Sequence, residues 1–91
     1  MKNKEYLIEW DVWNAQTQTY EPESLCDFAY ADSPELAIDI MMDYVCESDD
    51  NWTADRDNDV VYLHHERYDR HEDRTIVKDL EYRNFRIRPT E

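Results

Sequence analysis

A chain of 91 residues with a formal net charge of −13 has room for one domain and a modest core. Its 23 Asp and Glu against 10 Lys and Arg disfavour direct contact with nucleic acid or an anionic membrane. Glycine is absent, which removes the phosphate-cradling loops that depend on it, and no apolar run suits a signal peptide or a membrane span. Residues 1–91 are therefore read as a single domain with an expected cytoplasmic location.

Disorder is the first alternative for so acidic a chain, but twelve aromatic residues recur along its length with strand and helix periodicity. The charge is unevenly spread. No Lys or Arg occurs between Lys4 and Arg56, and fourteen acidic residues fall in that stretch; residues 56–91 hold eight basic and nine acidic residues.

Tyr6 to Trp13 reads as a first strand, with Tyr6, Ile8, Trp10 and Val12 alternating on one face. The polar run Asn14 to Thr19 suits a turn. Glu23 to Ala31 reads as a second strand, with Cys26, Phe28 and Tyr30 expected on its buried face. Cys26 and Cys46, set among apolar neighbours, are expected to be buried thiols and not a disulfide.

A helix is predicted from Ser33 to about Glu47. Ser33 suits the N-cap, Pro34 the first helical position, and Glu35 the positive end of the helix dipole. Three of its four i,i+4 rows are apolar: Leu36-Ile40-Tyr44, Ala37-Met41-Val45 and Ile38-Met42-Cys46. The fourth, Glu35-Asp39-Asp43-Glu47, is wholly acidic. This pattern predicts a helix embedded on most of its circumference, showing one carboxylate stripe to solvent.

Residues 48–59 read as an acidic loop with Trp52 in its middle. Val60 to Tyr68 and Thr75 to Tyr82 read as two further strands joined by a polar turn at 69–74. Phe85 and Ile87 are out of phase with Leu80 and Tyr82, so a bulge or break is expected near Arg83 and Asn84, with a short fifth strand after it. The fold class that follows is α+β: an antiparallel sheet of three to five strands with one main helix packed on one face, in the order β-β-α-β-β.

The acidic row is the feature that stability does not explain. Like charges at i,i+4 destabilise a helix, and three such pairs cost on the order of 1 kcal/mol at low salt. A single Lys would relieve this, yet none is present. The pattern points to a surface for a cationic partner: Glu35, Asp39, Asp43 and Glu47 on the helix, Asp49, Asp50 and Asp55 from the following loop, and Trp52 as an aromatic anchor, with Trp13 a second. One such row offers a charge about every 6 Å, whereas duplex DNA carries one per roughly 1.7 Å. Imitation of a phosphate track therefore needs the loop carboxylates Asp49, Asp50, Asp55, Asp57 and Asp59 as well.

No enzyme is expected. Ser24, Ser33 and Ser48 lack nucleophile-elbow context. His64, His65 and His71 lie near several carboxylates, but adjacent strand residues face opposite ways, and no zinc-binding spacing is present, so neither metal nor cofactor is expected. The arginines of the segment 82–88 are read as internal counter-charges to neighbouring strands.

In size, acidity and lack of catalytic motif, the chain resembles the small inhibitors with which phages disable host defence, anti-CRISPR proteins and DNA-mimicking anti-restriction proteins among them. The resemblance is one of character and carries no residue-by-residue motif. It implies an inhibitor that occupies the cationic, nucleic-acid-binding surface of a host defence complex, in the host cytoplasm if phage-encoded, as a monomer or homodimer. An immunity protein or antitoxin against a basic nuclease would use the same physics. An accessory domain whose acidity only confers solubility is the plain alternative.

Overall fold

The computed structural model describes residues 4–48 and 52–89. Six strands and one helix follow in the order β1 (Lys4–Asn14), β2 (Thr19–Tyr20), β3 (Leu25–Ala31), α1 (Pro34–Val45), β4 (Trp52–Asp57), β5 (Val60–Asp69) and β6 (Arg74–Ile87). All pairings are antiparallel. The sheet runs β2-β1-β6-β5-β4, and β3 shares the outer edge of β1 with β2. The class is thus α+β with one helix, as the sequence predicts, but the order is β-β-β-α-β-β-β.

The extra strand after the helix is β4, which the sequence reading assigns to a loop. Trp52, Ala54 and Arg56 are half-buried and alternate with exposed Thr53, Asp55 and Asp57. The alternation is that of a strand, but one apolar aromatic, one Ala and one Arg make a weak apolar face. A two-residue turn at Asn58 and Asp59 joins it to β5, with Asn58 at φ 58°, a conformation Asn tolerates well.

In β1, Ile8, Trp10 and Val12 are buried as expected. In β3 the faces are the reverse of the expectation. Ala29 and Ala31 are buried, whereas Cys26, Phe28 and Tyr30 are exposed. The reason is steric. Ala29 and Ala31 share a core cluster with Ala37 and Met41 of α1, and small side chains on both elements let helix and strand approach closely. Larger residues go to the other face. Cys26 is accordingly an exposed free thiol, and only Cys46 is half-buried.

Ser33 caps α1 through its Oγ, which accepts from the Leu36 N–H at 3.2 Å. The helix closes at Val45, where the Cys46 N–H donates to the Met42 carbonyl. It ends about two residues earlier than predicted, leaving Glu47 outside it. Two rows face the sheet, with Ala37, Met41 and Met42 fully covered. The third apolar row is not embedded: Leu36, Ile40 and Tyr44 are exposed. A single helix on one sheet face buries only the side that meets the sheet.

A second cluster, Met42, Val61 and Leu63, joins α1 to β5, with Trp52, Leu80 and Tyr82 packed around it. β6 is one strand of 14 residues, not a strand followed by a short fifth one. The expected bulge is present within it. Register shifts between Asp11↔Arg83 and Glu9↔Arg86, so Trp10 lies opposite two residues, and Asn84 takes φ 61°. The bulge sets Phe85 on Trp10, with ring centroids 5.3 Å apart. Beyond the last pairs with β4 and β1, β5 and β6 continue as a two-stranded ribbon to the turn at 70–73. No described helix is long and apolar enough to cross a membrane.

Candidate acidic interface

Glu35, Asp39 and Asp43 are exposed on one side of α1, the side turned toward β4. The row is not bare. Arg56 reaches from β4 to both aspartates, Nη2 to Asp39 Oδ1 at 2.6 Å and Nη1 to Asp43 Oδ1 at 2.7 Å. It also donates to the Asp39 carbonyl and, through Nε, to the Asn58 carbonyl in the β4–β5 turn. The hydrogen bonds to Asp39 and then Asp43 hold the guanidinium pKa even above its ordinary value. Asp59, from the same turn, lines a concavity with Ile38 and Met42 of α1. The flank therefore presents Glu35, Asp39 and Asp43 beside one arginine, which fixes the two aspartates and leaves the row net negative.

The remaining predicted site residues do not gather there. Glu47 is exposed just past the end of the helix. Asp49 and Asp50 lie outside the described residues. Asp55 pairs with Tyr62, while its neighbours Ala54 and Arg56 pair with Leu63 and Val61 under the helix. Alternation thus sends Asp55 to the opposite sheet face. Trp52 is no exposed anchor. It is half-buried, packs on the Met42–Val61–Leu63 cluster and stacks on His65 with centroids 5.0 Å apart. Trp13 is half-buried too, between Tyr20 and the Arg83 guanidinium, which sits 4.4 Å from the ring centroid.

Arg56 was missed as a member of the site. It is the first cation after the long basic-free stretch, and the 52-54-56 alternation that aims it at the helix was the available signal.

The face without the helix carries a second charge network. Arg86 Nη2 lies 2.8 Å from Glu9 Oε2 and 3.2 Å from Asp11 Oδ1. Asn84 Nδ2 and Ser24 Oγ also donate to the Asp11 carboxylate, and these bonds, Asn84 foremost, hold its pKa below the ordinary value. Arg83 pairs with Glu81 at 2.7 Å. Arg86 is a counter-charge to the neighbouring strand β1, as its sequence context predicts, whereas Arg83 pairs within its own strand β6.

Farther along this face, His64 Nδ1 meets Asp79 at 2.5 Å and Nε2 meets Glu66 at 3.2 Å. The two carboxylates, Asp79 foremost, raise the imidazole pKa. His65 points the other way, onto Trp52, and the His71 N–H donates to Asp69 in the turn. Among the described residues no three His, Cys, Asp or Glu side chains are grouped so as to hold a metal ion.

Comparison with known protein families, curated proteins and solved structures found no match for this chain.

Proposed function

We propose that this chain is a small acidic binding protein that inhibits a larger nucleic-acid-handling complex by occupying its cationic surface, in the manner of phage or mobile-element inhibitors of host defence. The observation that carries this reading is the α1 flank, where Glu35, Asp39 and Asp43 stand exposed on a rigid helix with Arg56 fixing two of them. Carboxylates held in one geometry lose little freedom on meeting a basic surface, and a net charge of −13 steers a cationic partner from a distance.

Charge density favours patch binding over a replica of a phosphate track. The row offers a charge about every 6 Å, Arg56 neutralises part of it, and Asp55 faces elsewhere. The partner surface is thus a local cluster of Lys and Arg rather than a long groove matched phosphate by phosphate.

Competition tests the reading. Once a bound partner is in hand, nucleic acid added to the complex should displace this protein, and more salt should weaken the complex. A partner that binds nucleic acid and this chain together, without mutual weakening, would remove the proposal.

A further inference from the structure

Among the described residues nine large apolar side chains are exposed, and six of them lie on β3 and the outer row of α1: Leu25, Phe28, Tyr30, Leu36, Ile40 and Tyr44. Phe28, Tyr30, Ile40 and Tyr44 line one concavity between the two elements. β3 is an edge strand of seven residues, paired among the described residues with β1 alone, and holds neither Lys nor Pro to discourage further pairing. The Leu7 carbonyl accepts from the Arg88 N–H, on the side away from β3, which makes Leu7↔Phe28 a pair without mutual hydrogen bonds. The Phe28 N–H and C=O therefore point out of the sheet edge, and the N–H donates to the carboxylate of its neighbour Asp27, at 2.8 Å.

We propose that this flank is a homodimer interface. β3 pairs antiparallel with β3 of a second copy across a two-fold axis at Phe28; the Leu36-Ile40-Tyr44 rows of the two helices meet on the sheet face that carries α1, and Phe28 and Tyr30 meet their copies on the opposite face. This register sets Phe28 against its copy and Asp27 against Ala29, so the two Asp27 carboxylates are not apposed. Before pairing, Asp27 guards the edge by occupying the Phe28 N–H, which the second copy's carbonyl then takes over.

Charge and area choose the occupant. Glu35, Asp39 and Asp43 lie on the other side of α1, toward Arg56, and Asp27 is the one charged residue lining the concavity. An apolar, self-complementary surface fits there, whereas a basic partner is drawn to the opposite flank. Phe28, Tyr30 and Tyr44 are 51%, 60% and 61% exposed, which leaves on the order of 100 Å² on each. With the three aliphatic residues the flank offers about 500 Å², so a two-fold pair buries at most roughly 1,000 Å², the scale at which specific interfaces begin. This inference does not depend on the cationic-partner reading, because it uses a different side of the helix.

Sedimentation velocity of the full chain, from micromolar to millimolar concentration at about 0.05 M and about 0.5 M salt, tests it. The expected result is a dimer whose population rises with protein and also with salt, because screening relieves repulsion between two copies of charge −13. Ile40→Ser with Tyr44→Ser should weaken the dimer by about tenfold or more with unchanged circular dichroism. Tyr62→Ser, an exposed aromatic on β5, which β1 and β6 separate from β3, should leave it intact, and Asp27→Ala should tighten it. A monomer under all conditions, a dimer indifferent to the Ile40/Tyr44 pair of substitutions, or one that dissolves as salt rises would overturn the proposal. So would a monomer whose doubly substituted form loses a heterologous partner, which would assign the flank to that partner.

Discussion

The guanidinium of Arg56 lies 2.6 Å from the carboxylate of Asp39, so the cation that ends the basic-free stretch closes onto the acidic helix row. Asp43 is held by the same group. The row is thus destabilising within the helix and stabilising across to β4. Both aspartates remain more than half exposed, which limits each pair to about 0–1 kcal/mol.

Arg56→Gln separates stability from binding. It should lower unfolding free energy by about 0.5–1.5 kcal/mol at low salt, with the loss shrinking at high salt. The same change removes a positive charge from the flank, a gain in attraction that outweighs the lost fixation of two aspartates, so affinity for a cationic partner should rise. Urea unfolding at two salt concentrations, alongside partner titration, measures both. Parallel losses of stability and affinity would mean that Arg56 itself contacts the partner.

His64 gives stability a dependence on pH. Its pKa is raised in the folded chain by Asp79 and Glu66, so the protonated ring is favoured by folding. That contribution is complete below the ordinary imidazole value of about 6.5 and fades as pH rises through the folded value. His64→Gln should therefore flatten the decline in stability that begins above about pH 6.5, and an imidazole NMR titration should place the folded midpoint above the ordinary value. A midpoint at or below it would contradict the pairing.

The bulge rests on Asn84, at φ 61° and bonded to Asp11. Asn84→Ala should cost about 1–3 kcal/mol, because it adds left-handed strain to the loss of the bond. Asn84→Gly should cost less, since it loses only the bond. Asp11 has a lowered pKa, so stability from its contacts is present above the ordinary carboxylate range and is lost as pH falls through the folded value. The gap between wild type and Asn84→Gly should narrow at acid pH. Chemical denaturation of the three proteins at neutral and acid pH checks both points.

What could be read from sequence followed the strength of each local signal. Ser33 and Pro34 announced the helix start, and Ile8, Trp10 and Val12 announced β1, because caps and large apolar alternation act locally. The phase break between Tyr82 and Phe85 announced the bulge. The face of β3 did not follow from its largest residues, because contact with α1 selected Ala29 and Ala31 for their small size. The third helical row was misread for a related reason: apolar character alone does not say how many layers a helix lies between. The acidic row was legible, but its partner Arg56 depended on β4, whose apolar face is too slight to mark it as a strand.

The proposed binding of a basic surface by the acidic flank of α1 is tested most directly by affinity capture from a bacterial lysate at about 0.15 M salt, with wild type compared against Glu35→Gln/Asp39→Asn/Asp43→Asn/Glu47→Gln. Wild type should retain a basic nucleic-acid-binding complex that high salt releases, and the neutralised protein, folded by circular dichroism, should not retain it. Equal capture by the two proteins, or no complex above background with either, would contradict the claim.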